Sequence, residues 1–224
     1  MNVRRGGKRL KSHVTTVLAA ALLAAAHGDG AAQAPPPVQQ NQVLEVLERT
    51  KLTRTSYSLF VWIRTTPLHG APDGWAAEFH SGDLHRVETP TTRVVADCRA
   101  NTGIAVALDT GETVEGPSVA SVACGINTNR IFSAAEYRGT VQTRFGPADR
   151  VRLVDDEMIR EYDVSADGVL LATRFFANRG GEPEILNAET VALLREPPEP
   201  GMFDRESLAR SYVPEEYRQP PRRP

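Results

Sequence analysis

The chain has 224 residues, of which 41% are hydrophobic and 24% are charged, and its formal net charge at pH 7 is −2. Without residues 1–32, a basic leader, it has 21 basic and 27 acidic residues and a net charge of −6. An acidic domain of this kind argues against a nucleic-acid partner and against a polybasic membrane patch. The length suits one domain that buries a sizeable core.

Residues 1–32 are typical of a secretory signal peptide. Five basic residues and no acidic one precede an uncharged apolar run from Val14 to Ala26, which is the order of regions in an export signal. The run has 13 residues, whereas a spanning helix needs roughly 20, so we expect no stable membrane anchor. Small residues before Gln33 suit cleavage there. The sequence predicts a periplasmic protein, or a secreted one, and we expect a monomer.

The start of the mature chain predicts a linker and one helix. Residues 33–40 include three consecutive prolines, and we expect an extended segment there. Apolar residues then recur at helical spacing, with Val43 and Leu47 on one stripe. This pattern predicts an amphipathic helix ahead of the rest of the domain.

From Thr55 onward the apolar pattern has a period of two, which is typical of strands. Short turns rich in Gly, Pro, Asp and Asn separate about ten such segments. We therefore expect a mainly β fold with some α structure (α+β): a curved antiparallel sheet or half-open barrel with the N-terminal helix as a lid. The predicted domain covers residues 41–204, and residues 205–224 predict a short helix and a disordered Pro/Arg-rich tail.

The first long strand is apolar on both of its faces. Tyr57 and Leu59 alternate with Phe60 and Trp62, so each face must be covered by something. The aromatic residues either line a ligand cavity or fill a closed core. The cavity hypothesis assigns ligand-binding roles to seven residues: Val43, Leu47, Phe60, Trp62, Trp75, Phe79 and Phe175.

Cys98 and Cys124 are the two cysteines of the chain. In an oxidising compartment they predict a structural disulfide, and two free buried thiols are the alternative. No Cys-x-x-Cys motif is present, which argues against a redox role.

Catalytic and cofactor-binding motifs are absent from the sequence, including nucleophile elbows, zinc-protease motifs and phosphate-binding loops. We therefore predict no enzyme activity, no cofactor and no metal site. Two weaker candidates remain open. His80, Asp83 and His85 could gather on a hairpin as a metal or acid–base site, although polar turn residues are commoner. Residues 155–157, Asp-Asp-Glu, could bind a cation, although a solvated loop is the commoner role.

The order of elements resembles the lipoprotein-carrier family (LolA/LolB-like), which includes regulators of the RseB/MucB type. The likeness lies in the stretch from Asp83 to Asp97, in the late hairpins from Arg150 to Phe176, and in the closing segment from Pro197 to Phe203. Cys98 stands where the family has glycine, and Ile104 to Leu108 lacks the usual aromatic residue.

The resemblance implies a half-open barrel with an apolar cavity under helices. It implies a noncatalytic periplasmic binding or carrier protein whose ligand is a lipid acyl chain or a lipidated protein. The alternative function is that of a regulatory or structural envelope protein that binds a protein partner with the same fold. A third hypothesis is a hydrolase whose catalytic groups are His80, His85 or residues 155–157, which we call the acidic loop.

Overall fold

The computed structural model describes residues 37–126 and 131–221. The predicted signal peptide and residues 33–36 of the predicted linker lie outside this part of the chain. The first helix, α1, spans Pro37–Leu52, so the extended linker predicted for residues 33–40 is wrong at its last four positions. Proline is tolerated in the first turn of a helix, because the amide hydrogen it lacks would have no partner there.

Eleven strands follow in the described residues, close to the number of about ten that the period-two pattern of the sequence predicts. Their bounds are β1 Tyr57–Thr65, β2 Gly74–Ser81, β3 Leu84–Glu88, β4 Thr92–Asp97, β5 Thr102–Ala107, β6 Thr113–Glu115, β7 Ala134–Thr143, β8 Gly146–Val154, β9 Met158–Ser165, β10 Leu170–Ala177 and β11 Glu184–Leu194.

All eleven strands belong to one antiparallel sheet with the order β6-β5-β4-β3-β2-β1-β11-β10-β9-β8-β7. Neighbours in the sheet are neighbours in the chain except where β1 pairs with β11. The sheet is not closed, because β6 and β7 form its two edges. The predicted fold class, mainly β with α and an antiparallel sheet, is confirmed.

The sheet has two differently covered faces. The helix face carries Leu59 and Ile63 of β1. Helix α1 covers it around Ile63, and a second helix, α2, covers it on β3 to β5, whereas Leu59 packs against Ala148 and Leu171 of the sheet itself. The strap face carries Phe60 of β1 and is covered by residues 200–217, which we call the C-terminal strap. Both sides of the two-sided apolar strand are therefore packed.

The second helix, α2, spans Pro117–Ala123 in a stretch whose sequence pattern predicts no element. It packs Val119, Ala120 and Ala123 on the helix face of β3 to β5. A Cβ atom at Gly103 of β5 would lie 2.9 Å from the side chain of Val119. The absence of a side chain at Gly103 thus lets α2 approach the sheet closely.

The C-terminal strap consists of three short 3₁₀ helices, Pro200–Phe203, Arg205–Ala209 and Glu215–Tyr217. The sequence predicts a short helix and a disordered tail over residues 205–224. The helix Arg205–Ala209 agrees with this, but the predicted disorder is wrong up to residue 221, since Val213 is buried and Tyr217 stacks on Phe60. The prediction of disorder fails because the strap gains its order from packing on the apolar strap face rather than from local propensity.

No helix in the described part of the chain is long and apolar enough to cross a membrane.

Candidate functional site

The seven residues assigned to an apolar cavity do not share one surface. Phe60, Trp62, Trp75 and Phe79 lie on the strap face, where Trp62 and Trp75 are cross-strand partners. Val43, Leu47 and Phe175 lie together in the core of the helix face. The sheet itself separates the two groups, so the stripe of α1 with Val43 and Leu47 does not face Phe60 or Trp62.

On the strap face the aromatic residues pack against the C-terminal strap. Phe60 and Phe79 are only 2% and 3% exposed, and they share a cluster with Met202 and Val213. The ring of Tyr217 stacks on Phe60 with 4.2 Å between centroids. Trp62 and Trp75 are half-buried. Phe60 and Phe79 thus occupy a packed core rather than an open cavity.

A buried ion pair holds the strap on this face. Arg86 and Glu88 are both fully buried, and Arg86 Nε donates to Glu88 Oε1 over 2.8 Å. The guanidinium also donates to the carbonyl oxygens of Met202 and Arg210 and to Ser207 Oγ. Glu88 accepts from the strap in turn, through Ser211 Oγ and the amide of Tyr212. The pair therefore satisfies polar groups of the strap that would otherwise be buried without partners.

Helix α1 covers the apolar core of the helix face with one stripe. Val43, Val46 and Leu47 are 2–3% exposed and pack in one cluster with residues of β1, β2 and β8 to β11. On its outer side, Leu44 is 53% exposed and Leu52 is 65% exposed. Helix α1 thus covers a large part of this apolar surface, to which Ile126 and Phe132 also contribute.

A few polar contacts fix the C-terminal half of α1. Arg49 Nη2 donates to Asp149 Oδ2 over 2.6 Å, and Thr53 Oγ1 donates to the carbonyl oxygen of Asp167 over 2.7 Å. Burial would raise the pKa of Asp149, but hydrogen bonds from Arg49, Tyr137 and Thr140 hold it below its ordinary value. Asp149 is therefore an ionised anchor for the helix.

Between the end of α1 and the end of α2 lies a cleft, lined by both polar and apolar residues, whose volume is ≈ 540 Å³ when its open mouth is included. We call it the histidine cleft. Thr50, Lys51 and Arg54 line it on the side of α1, and both cysteines line it on the side of α2. Its floor is formed by Tyr57, Glu78, His80 and His85 from three adjacent strands, together with Leu170.

The four polar side chains on the floor are buried and in contact. The Tyr57 ring stacks on His80 at 5.2 Å, and the two histidine rings meet edge to face at 5.4 Å. His80 Nδ1 lies 2.9 Å from the carbonyl oxygen of Thr55; because a carbonyl only accepts, Nδ1 is the donor. Glu78 Oε2 accepts a long bond of 3.4 Å from the Tyr57 hydroxyl.

His85 is the exception in this cluster. Its Nε2 atom is buried and has no hydrogen-bond partner among the described residues. The nearest acidic oxygen, Glu78 Oε2, is 3.6 Å away, which is too long for a hydrogen bond. The cleft floor therefore contains an unsatisfied polar atom beside a carboxylate.

Burial shifts the protonation of two groups on this floor. Burial, and then the charge of the neighbouring His85, lower the pKa of His80 to about 4. Burial, and then the charge of Glu78, raise the pKa of Tyr57 well above its ordinary value. At neutral pH, His80 is therefore uncharged and the Tyr57 hydroxyl keeps its proton.

The hairpin between β2 and β3 brings part of the predicted histidine site together. His80 and His85 are cross-strand partners because the hairpin closes with a turn of two residues, Gly82 and Asp83. Asp83 instead pairs with Arg54, with 2.9 Å between Oδ1 and Nη1. Reasoning from the sequence assigned no site role to Tyr57 or Glu78, although the period-two pattern of β1 and β2 places both on the face of His80.

No group of three or more His, Cys, Asp or Glu side chains in residues 37–126 and 131–221 is arranged to hold a metal ion. In the acidic loop, Asp155 Oδ2 accepts from Arg160 Nη1 over 2.5 Å, and Asp155 Oδ1 accepts from the amides of Glu157 and Met158. Asp155 thus has a structural role in the turn before β9.

The predicted disulfide is confirmed. Cys98 and Cys124 are bonded, with 5.6 Å between their Cα atoms. The bond joins the residue after β4 to the residue after α2. It thereby fixes the wall of the histidine cleft opposite α1.

No protein-family model and no curated protein matches the sequence. Solved structures do match the fold. A conserved protein from Thermus thermophilus aligns with a TM-score of 0.48 and 15% identity over 80% of this chain and 96% of its own. MucB aligns with a TM-score of 0.45 and 11% identity over 79% of this chain and 66% of its own. A LolA superfamily protein from Nitrosomonas europaea aligns with a TM-score of 0.38 and 10% identity over 74% of this chain and 99% of its own. At these identities the likeness concerns the fold alone.

Proposed function

We propose that this is a noncatalytic binding protein of the cell envelope, and that it holds an acyl chain between α1 and the helix face of the sheet. One observation carries the proposal: the apolar stripe of α1 packs on the large cluster around Ile63, Leu153 and Leu186, a surface that a chain of methylenes could also cover. An acyl chain that replaced the stripe of α1 would gain about 0.8 kcal/mol for each methylene removed from water.

The exported location is part of this proposal. It is supported by the pattern of the leader and by the Cys98–Cys124 bond, since structural disulfides persist in oxidising compartments. The resemblance of the sequence to the lipoprotein-carrier family implies the same class of ligand.

In this function α1 acts as a lid that competes with the ligand for one surface. The lid-closed protein cannot bind, so the apparent affinity depends on the fraction of molecules in which α1 has left the sheet. Arg49 and Thr53 set that fraction, because their bonds to Asp149 and Asp167 join the helix to β8 and to the turn after β9.

The experiment is a titration of the purified protein with a fluorescent fatty-acyl probe. We expect saturable binding with one site, and competition by unlabelled laurate. The matched pair of variants is Val43→Ala and Leu44→Ala, because these neighbours lie on opposite sides of α1. The Val43 variant should change the affinity, and the Leu44 variant should not. Equal effects of the two substitutions, or no probe binding at all, would refute the proposal.

A second candidate function is recognition of a protein partner. The observation that favours it is the close packing of Phe60 and Phe79 under the strap, which gives the strap face no open cavity at these residues. A wild-type protein that binds no acyl probe but captures one envelope protein from its native host would support this candidate instead.

A further inference from the structure

The floor of the histidine cleft contains two buried polar atoms that lie close together without a hydrogen bond between them. His85 Nε2 and Glu78 Oε2 are 3.6 Å apart on the floor, and both residues are more than nine-tenths buried. A buried polar atom without a partner is costly. A hydroxyl oxygen seated against both would accept from the imidazole N–H and donate to the carboxylate.

The walls of the cleft disfavour a charged group in this position. An anion would lie beside Glu78. A cation would pass Lys51 and Arg54, which line the cleft on the side of α1 and each of which already pairs with one acidic residue, Glu48 and Asp83. A neutral group with hydroxyls avoids both repulsions and can satisfy the floor.

The cleft is also continuous with the apolar core under α1. Ile126 lines the cleft and belongs to the cluster of the helix face, and Leu170 lines the cleft and packs against that cluster. The amide of Ile126 donates to Thr50 Oγ1 at the end of α1 over 3.1 Å. A movement of α1 would therefore open the cleft toward the apolar surface.

We infer that the histidine cleft is the head-group site for a neutral, hydroxyl-bearing amphiphile whose chain lies under α1. His85 Nε2 donates to a head-group oxygen, and Glu78 Oε2 accepts the hydroxyl proton. The inference rests on the proposed function, because it assigns the ligand's tail to the surface that α1 covers.

The test compares three ligands with the same chain: monolauroylglycerol, which has free hydroxyls, methyl laurate, which has none, and laurate, which is charged. Each displaces the fluorescent acyl probe from the wild-type protein below its aggregation threshold. We expect monolauroylglycerol to bind at least about tenfold more tightly than methyl laurate, since two hydrogen bonds, one of them to a carboxylate, are worth about that factor or more. Laurate should bind no better than methyl laurate.

The variants His85→Phe and Glu78→Gln should reduce this preference to about threefold or less, whereas His69→Phe, which lies outside the cleft, should preserve it. If a cleft variant fails to fold, the wild-type ligand series still decides. Chemical shifts of the His85 ring in the wild-type protein, with and without monolauroylglycerol, give a second readout. Equal affinity for the three ligands would mean that no ligand hydroxyl binds to His85 and Glu78. That result would overturn the head-group site while the proposed function stands. Failure of all three to bind would overturn both.

Discussion

The ring of Tyr217, near the end of the chain, stacks on the ring of Phe60 in the first strand, with 4.2 Å between their centroids. A residue from the segment predicted to be disordered thus completes the core of the strap face. Replacement of Phe60 by Ala should lower the free energy of unfolding by roughly 3 to 5 kcal/mol, because Phe60 is almost fully buried. Urea denaturation of the two proteins measures the difference.

Leu68→Ala is the matched control for this substitution. Because Leu68 is 49% exposed, its replacement should lower the free energy of unfolding by less than about 0.5 kcal/mol. A Phe60 variant as stable as the control would mean that the strap face is open in solution. That result would make Phe60 a candidate cavity residue again.

Arg86→Ala should detach the strap. It removes a guanidinium that satisfies Glu88 and several strap carbonyls, and the remaining buried charge makes a loss of roughly 3 to 5 kcal/mol the expected result. Hydrogen exchange should become faster in residues 200–217. The exposed Arg99 provides the control, and Arg99→Ala should change neither quantity. Unchanged exchange in the strap of the Arg86 variant would contradict the role of this ion pair.

Because His80 binds a proton more readily in the unfolded chain than in the fold, the protein should be less stable in mild acid. The pKa of His80 is about 4 in the fold and its ordinary value is 6.5, so the unfolded chain binds the proton more readily between these values. The contribution of the uncharged His80 to the free energy of unfolding is therefore fully present above about pH 6.5. It is lost as the pH drops toward 4, by about 3 kcal/mol in total. The carboxylates with lowered pKa values contribute below this window.

The measurement is the free energy of unfolding from pH 7 to pH 4, compared between the wild type and His80→Gln. The free energy of unfolding of the variant should change less between pH 7 and pH 4, because the variant has no imidazole to protonate at this position. Identical slopes would show that His80 does not titrate as its environment of Tyr57, Glu78, His85 and Arg54 implies.

Reduction of the Cys98–Cys124 bond should destabilise the protein by roughly 3 to 4 kcal/mol in the chain-entropy model, given the separation of 26 residues. The Cys98→Ser, Cys124→Ser double variant should lose a similar amount and become insensitive to dithiothreitol. Thiol titration of the denatured wild-type protein from an oxidising compartment should find no free thiol. Two free thiols in that titration would mean that the bond does not form there.

Arg49→Ala should loosen the lid. It removes the bond to Asp149 that holds α1 to β8, a half-buried interaction worth about 1 kcal/mol, and so raises the open fraction about fivefold. We expect faster hydrogen exchange in α1 and a proportionally tighter apparent affinity for the acyl probe.

Arg64→Ala is a control outside the lid, since Arg64 pairs with Glu189 on the sheet at 3.7 Å. Weaker probe binding by the Arg49 variant alone would indicate that Arg49 contacts the ligand and does not restrain the lid.

The strands could be predicted from the sequence because local alternation and short turns determine them. The two residues Gly82 and Asp83 fix the pairing of His80 with His85, and such a turn is recognisable in the sequence. The disulfide could be predicted from the number of cysteines and their compartment. The α2 helix could not, because seven residues with a small-residue pattern become helical through contact with β3 to β5.

The site was less predictable than the fold. Period two places Phe60 and Leu59 on opposite faces, but it does not say which face α1 covers, and the choice depends on long-range packing. The strap was missed for the same reason, since its order depends on Arg86 and Phe60, more than a hundred residues earlier in the chain. The orphaned Nε2 of His85 depends on distances that no sequence pattern contains.

The central claim, that an acyl chain binds between α1 and the helix face, is tested most directly by native mass spectrometry of the protein isolated from the envelope of its host. We predict a mass above that of the processed chain by one acyl-bearing molecule, which denaturing solvent releases and lipid analysis identifies. A mass equal to the processed chain alone, in protein that also fails to take up a fatty-acyl probe, would contradict the claim.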